Sequence, residues 1–355
     1  MTIEEIPTEG YERVVHCTDP ASGLNAFISI HDTTLGPALG GVRMLEYGSE
    51  ADALADANLL AKAMTYKAAV AQTGQGGGKG VIVGDPSEKT EAMMLAMGRF
   101  IEALDGAYLA AEDMNMNVGD LETMARETRW VSGLSRARGS SGNPSPLTAL
   151  GCLIGIQVSA GEIFGSEALS GRHVAVQGIG AVGGALAQMC LKEGAKVTVC
   201  DLDDAKARRF ADAQGATALE GPDACLSYPC DIFSPCARGG VLDAESIEAL
   251  GCKIVAGAAN NQLAEPEDAD RLRARGILYA PDYVVNAGGI INIACEFAPE
   301  GYSEEAARER VRGIGPTLKE VYRIAREEDI STAAAADRLA EARLAEVRQA
   351  GPQER

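Results

Sequence analysis

The sequence predicts an α/β protein in two parts: an N-terminal α/β domain followed by a doubly wound parallel sheet, with a cleft between them. The chain has 355 residues, more than the roughly 250 to 300 at which a single core stops growing. Short apolar runs alternate with helical stretches along most of its length, the pattern of βαβ units. A glycine turn, Gly178-x-Gly180-x-x-Gly183, falls between a strand and a helix in the second half.

In the first half, strands are expected between 11 and 30, followed by a loop, LGPALGG, at 35–41. Ser49, with Glu50 and Asp52 in the first turn, starts a helix that runs to about Val70. Ala53, Leu54, Ala57, Leu60, Ala61 and Met64 recur on one face of it, and Lys67 lies near its end. The glycine-rich stretch GQGGGKG at 74–80 leads into a buried strand, VIVG, with Lys79 at the strand's mouth. A second helix spans about 89–104. The strand YLAA then runs into the loop EDMN, which carries Asp113.

RARGSSGNPSPLTALG, at 136–151, is rich in Gly, Ser and Pro and reads as the domain junction. The predicted domains are therefore 1–135 and 136–331, with a C-terminal helix over 332–355 packing back on the first. Strand HVAVQ, a helix over 181–193 and strand AKVTVCD open the second sheet. CDIF, KIVAGAA and GILYAPDYVV supply further strands, and the tail from 304 is helical.

Composition narrows the function. Apolar residues at 46% and charged residues at 23% suit a globular protein with a sizeable core. A net charge of -19 repels phosphate backbones and anionic lipid, so neither nucleic acid nor membrane is an expected partner. Nine cysteines, with no C-x-x-C pair, fit neither a disulfide framework nor a zinc site. They read as reduced, mostly buried thiols, and no metal is expected. The N-terminus MTIEEIPTEG has no apolar run, and no segment is read as approaching the roughly 18 to 20 apolar residues of a bilayer span. A cytoplasmic protein is expected.

The glycine turn has a mechanical reading. Gly178 permits the tight turn, Gly180 lets a pyrophosphate approach the backbone, and Gly183 lets helix and strand pack closely. The helix N-terminus, at Ala181 and Val182, supplies positive potential. Asp201 ends the next strand 18 residues after Gly183, where it can accept hydrogen bonds from ribose hydroxyls and would repel a 2′-phosphate. NAD is thereby favoured over NADP. Two lysines and a carboxylate then stand out: Lys67, Lys79 and Asp113 could supply a cation for a substrate carboxylate, a base near neutral pH and a proton carrier. Burial and a neighbouring cation would lower one ammonium's pKa.

Several segments together identify a resemblance. GPALGGVRM (36–44), MTYK (64–67), GGGKG (76–80), AEDMN (111–115), SGNPSPLTA (141–149), VAVQGIGAVGG, CDIFSPCA, NNQLAEP and APDYVVNAGGIIN run in order along nearly the whole chain. The sequence resembles the leucine, valine and phenylalanine dehydrogenases, relatives of glutamate dehydrogenase, and leucine dehydrogenase most of all. The resemblance implies a substrate domain and a Rossmann NAD-binding domain. It implies that Lys67 holds the substrate carboxylate, that Lys79 is the catalytic lysine and that Asp113 is the general acid/base. Gly40 and Asn261 would lie at the substrate, Thr148 and again Asn261 near the nicotinamide, and Asn286 at the cofactor. Leu39 and Ile293 replace a lysine and a serine of glutamate dehydrogenases, so glutamate's second carboxylate would be buried without a partner.

The expected reaction is NAD-dependent oxidative deamination of an apolar L-amino acid (leucine, valine, isoleucine) to its 2-oxo acid and ammonium, and the reverse. AEDMNMN leans toward the phenylalanine type, so an aromatic substrate is the alternative; a silent NAD-binding regulatory protein is the non-enzyme one. The resemblance also implies a homo-oligomer. Closure of the cleft is expected to accompany turnover.

Overall fold

The computed structural model describes residues 1–350. They divide into two compact units. The first holds Met1–Asn143, Ile293–Glu304 and the chain from Ala340; the second holds Pro144–Asn292 and Glu305–Leu339. The boundary thus lies past the expected one after 135, and a later segment returns to the first unit. The reason is local: Gly133 N–H and Ser141 N–H both donate to the Glu296 carboxylate, at 3.1 and 3.0 Å.

The first unit contains strands β1 (Thr2–Glu5), β2 (Arg13–Asp19), β3 (Leu24–Asp32), β4 (Ala38–Leu45), β5 (Gly76–Val83) and β6 (Tyr108–Glu112). Its helices are α1 (Glu50–Ala71), α2 (Glu91–Glu102) and α3 (Val118–Met124). The sheet order is β1-β2-β3-β5-β4-β6. β4 pairs in parallel with β5 and β6, and the remaining pairings are antiparallel. α1 covers one face, packing Ala53 and Ala57 on Phe27 and Val81. α2 and α3 cover the other, with Met97, Phe100 and Leu121 against Ile28, Val42 and Ile82.

Two local expectations change. The loop expected at 35–41 is strand from Ala38 onward, and β5 begins at Gly76, so Lys79 lies inside the strand. Glycines in the middle of a strand ordinarily weaken it. Here they admit close neighbours: a Cβ on Gly40 would stand 1.7 Å from the Gly78 carbonyl oxygen, and one on Gly77 would stand 2.1 Å from Thr65 N in α1. The space beside 76–78 is therefore filled by the protein itself. It also explains α1's buried stripe. Ala53, Ala57, Ala61 and Ala68 are buried with Thr65, whereas Leu54, Leu60 and Met64 are only half-buried, because a helix this close to the sheet has room for small side chains. Ser49 caps α1 as expected, its hydroxyl accepting from Asp52 N–H at 3.2 Å.

The second unit contains α4 (Ser145–Phe164), β7 (His173–Gln177), α5 (Ala181–Lys192), β8 (Lys196–Cys200), α6 (Asp204–Gln214), β9 (Thr217–Ala218) and β10 (Ile232–Pro235). These are followed by α7 (Ala244–Ala249), β11 (Ile254–Val255), α8 (Asp268–Ala274), β12 (Leu278–Tyr279) and α9 (Asp282–Val285). α10 (Gly288–Ala294), α11 (Glu304–Arg312), α12 (Ile314–Glu328) and α13 (Thr332–Ala350) complete the chain. Its sheet is parallel throughout, in the order β12-β11-β10-β7-β8-β9. This is the doubly wound arrangement, and the strand order reverses between β7 and β10, where such sheets bind ligands.

Three expectations are corrected in this half and the tail. DYVV continues no strand: it forms α9, whose Asp282 accepts from Tyr283 N–H at 2.6 Å and from Gln262 N–H at 2.8 Å. α4 is 20 residues long with a mean hydropathy of 1.6, apolar enough by length and composition to cross a membrane, contrary to the sequence reading. More than half of that stretch is buried, and a Cβ on Gly155 would lie 2.5 Å from Val285, so α4 is a core helix of this unit. The C-terminal helix α13 is shared. Thr332 donates to the Tyr279 carbonyl at 2.7 Å, in the second unit, whereas Arg343 donates to the Val70 carbonyl at 2.6 Å and Arg348 pairs with Asp32, in the first. Residues 351–355 of the expected helix lie outside the described residues.

The Tyr108 hydroxyl, fully buried, donates to the Gly40 carbonyl at 2.6 Å. Tyr108→Phe is expected to cost about 1 to 2 kcal/mol. Gly77→Ala is expected to cost more, because α1 would have to leave the sheet. Denaturant unfolding of the two variants checks the order.

Candidate active site

Strand alternation sorts the side chains at the centre of the first sheet. On β5, Gly77, Lys79 and Val81 face α1; on β4, Leu39, Gly41 and Arg43 do the same. The register sets Leu39 opposite Gly77 and Arg43 opposite Val81, which leaves Gly41 beside Lys79. Asp113 follows the last residue of β6 and lies over Gly41, where a Cβ would stand 2.6 Å from that of Asp113. Only glycine leaves room for the carboxylate there.

Lys79 Nζ pairs with Asp113 Oδ2, and the same oxygen receives Arg43 Nε at 2.8 Å. Arg43 Nη1 reaches Asp56 Oδ2, on α1, at 3.0 Å. The Tyr47 hydroxyl donates to that Asp56 oxygen at 2.6 Å. The result is an alternating line of charges that runs from a buried lysine to the tyrosine.

The electrostatics follow from this line. Burial pushes the Lys79 ammonium below the ordinary lysine range; the Arg43 charge adds to that, while Asp113 opposes it. Burial would raise the Asp113 carboxyl, but the charges and hydrogen bonds of Lys79 and Arg43 outweigh it and hold it below the ordinary carboxylate range. Asp113 therefore rests ionised, beside an ammonium that loses its proton more easily than an ordinary lysine.

Lys67 is half-buried on α1, two residues beyond Thr65, at the Gly77 end of β5. Leu39 is 1% exposed and shares the face of Lys79. Ile293, half-buried on α10, falls in the segment that belongs to the first unit, as Leu39 does. Gly40 turns to the opposite face, toward Tyr108. Arg43, Asp56 and Tyr47 escaped the sequence reading. The period-two series Leu39, Gly41, Arg43 is the sequence signal for the first of them, masked by the turn propensity of 40–41; Asp56 carries no local signal that separates it from the other acidic residues of α1.

The second unit brings the glycine turn together at the C-terminal ends of β7, β8 and β10. Gly178 has φ +87°, and a Cβ on it would stand 2.7 Å from Ala237. Gly183 lies under the Gly178 carbonyl oxygen, 2.0 Å from where its Cβ would be, so helix and turn are in contact. Gly180, which caps α5, has nothing within 4 Å of its Cβ direction. That open cradle, with the exposed Ala181 and half-buried Val182 starting the helix, fits a pyrophosphate.

Asp201 follows β8. Its Oδ2 accepts from Ile179 N–H at 2.9 Å and from Lys206 Nζ at 3.1 Å, and its Oδ1 accepts from Asp203 N–H at 3.2 Å. Partial burial would raise its pKa, but these donors bring it below the ordinary range, so it stays ionised. Thr148 Oγ1, in the first turn of α4, lies 2.8 Å from where a Cβ on Gly289 would be. Asn261 is exposed in the left-handed region at φ +51°. Asn286 is buried, donates to Asn260 Oδ1 at 2.9 Å, and keeps an amide oxygen without a partner. Arg238, beside the turn, pairs with Asp223 at 3.2 Å.

Two family descriptions match the chain: "Glu/Leu/Phe/Val dehydrogenase, dimerisation domain" over residues 11–130, and "Glutamate/Leucine/Phenylalanine/Valine dehydrogenase" over 198–351. Leucine dehydrogenase of Geobacillus stearothermophilus is 48% identical over 344 residues, 97% of this chain and 93% of that protein. Valine dehydrogenase of Streptomyces virginiae is 44% identical over 342 residues, 96% of this chain and 95% of that one. Among solved structures, L-tryptophan dehydrogenase from Nostoc punctiforme superposes with a TM-score of 0.86 at 41% identity. The alignment covers 96% of this chain and 97% of that one. With the lysine–carboxylate pair on one sheet and the glycine turn on the other, these matches make the chain a member of the Glu/Leu/Phe/Val dehydrogenase family.

Proposed function

We propose that this chain oxidises an apolar L-amino acid of the leucine, valine or isoleucine type, with NAD as its cofactor, and also runs the reverse reductive amination. The supporting observation is the buried Lys79–Asp113 pair sharing a sheet face with Leu39, an apolar wall where a second substrate carboxylate would have no partner. In the forward direction the amino acid, NAD+ and water give the 2-oxo acid, ammonium, NADH and a proton. When bound, the cofactor supplies the hydride acceptor.

The chain's own groups do the rest. Lys67 holds the substrate α-carboxylate. Lys79, as the neutral amine, takes a proton from the water that attacks the substrate's iminium carbon. Asp113, held ionised, accepts the proton of the amino group and returns it to the departing ammonia. Gly178, Gly180 and Gly183 seat the pyrophosphate, and Asp201 binds the adenosine ribose and disfavours a 2′-phosphate. Thr148, Asn261 and Asn286 orient the nicotinamide end. The dimerisation-domain match of the first half supports a homo-oligomer. Among the described residues all nine cysteines are free, which suits a reducing, cytoplasmic setting. A second reading, an aromatic substrate, is favoured by the likeness to the Nostoc enzyme.

An NADH-linked screen decides between the readings: leucine, valine and isoleucine are expected to turn over, with glutamate at least about 100-fold poorer. Faster turnover of phenylalanine or tryptophan would select the aromatic reading. Lys79→Ala is expected to abolish turnover while NAD binding, followed by fluorescence titration, stays within about twofold of the parent. The oxidation rate should climb with pH as Lys79 loses its proton, with a midpoint below the usual lysine value of about 10.4. Asp201→Ser should raise the NADP-to-NAD rate ratio by about tenfold or more; an unchanged ratio would remove Asp201 from cofactor choice.

A further inference from the structure

We infer that Arg43, braced by Asp56 and Tyr47, is a positioning residue that holds the Asp113 carboxylate against Lys79 throughout the proton transfers. This rests on the roles proposed above for Lys79 and Asp113. It begins with a problem in those roles: once Lys79 is neutral, it no longer attracts Asp113 as an ion. Asp113 sits in a loop just past the end of β6 and would then be free to turn away. Arg43 cannot lose its charge under these conditions, and its Nε stays 2.8 Å from the same Asp113 oxygen.

The guanidinium is itself fixed. Its second arm reaches Asp56 at 3.0 Å, and Tyr47 donates to that Asp56 oxygen at 2.6 Å, so β4, the loop after it and α1 all hold it. Arg43 and Asp56 are largely shielded from solvent, at 15% and 25% side-chain exposure, which strengthens the pairing relative to a surface bridge. Gly41 lets Asp113 lie flat on β4, two residues before Arg43 on the same face. The charged and titratable groups facing Lys79 are Asp113 after β6, Arg43 on β4 and Asp56 on α1. Among them Arg43 is a permanent cation that opposes the protonation of Lys79. The same residue that holds the base thus also favours the neutral amine.

The test uses the full-length protein with NAD and leucine. Arg43→Gln is expected to lower kcat by about 100-fold, the size of a displaced proton-transfer group. KM for NAD should remain within about twofold, because the cofactor residues lie elsewhere. The rising limb of the pH–kcat profile should move upward by about one pH unit, since Lys79 loses a repelling charge. Arg43→Lys restores the charge without the two-armed grip, so the pH limb should return toward the parent while kcat stays at least about tenfold low. Asp56→Asn keeps Arg43 but loosens its anchor, and should lower kcat about fivefold or more. If Arg43→Gln proves unfolded by circular dichroism, Arg43→Lys and Asp56→Asn carry the test. A folded Arg43→Gln with unchanged kcat and pH limb overturns the inference, as do parental kcat values in both of the other two variants. If the parent protein turns over no amino acid, the functional reading fails instead, and the two failures are distinguishable.

Discussion

A lysine ammonium placed inside a sheet costs several kcal/mol of hydration unless a carboxylate meets it at close range. Lys79 is 5% exposed and Asp113 meets it. That pairing organises much of the first unit. Asp113 is brought over the sheet by the end of β6, needs Gly41 beneath it, and is shared with Arg43, which in turn requires Asp56 from α1 and Tyr47 beyond β4. Each group neutralises the one before it, so the line ends at a neutral hydroxyl and leaves no unbalanced charge inside. Its chemical consequence is a lysine that gives up its proton more easily than usual beside a carboxylate held in its ionised form.

Close packing is what makes such a line possible. α1 lies near enough to the sheet for Thr65 to meet Gly77 in backbone contact, and that distance delivers Asp56 to Arg43. The alanine stripe and the strand glycines are two sides of one fit: neither a leucine at 57 nor a side chain at 77 could be accommodated. The second unit uses the same device for another end. Gly183 under the Gly178 carbonyl brings the start of α5 against the turn, so the first turn of the helix stands beside the open space at Gly180.

Much of this was legible in the residues. The spacing of Gly178, Gly180, Gly183 and Asp201 belongs to one continuous strand–turn–helix–strand, and local pattern captures such units well. α1 was bounded correctly at Ser49 because a cap is a local signal. The two central strands of the first sheet were not, since Gly40, Gly41 and Gly76–Gly78 carry turn propensity and only their long-range partners explain them. A strand misread as a loop loses its alternation, and with it the placement of Arg43 on the face of Lys79.

The sequence by itself determined the fold class, the glycine turn between strand and helix, and Lys67, Lys79 and Asp113 as residues of interest, because these follow from residue type and short-range order. Tertiary structure alone decided that Lys79 sits within a strand, that Asp113 has two cations rather than one, and that Asp56 and Tyr47 belong to the same network. Asp56 and Asp113 are 57 positions apart in the chain and Arg43 and Asp113 are 70. No local pattern encodes such distances; they are closed by parallel strand pairing and by a helix packed on glycine.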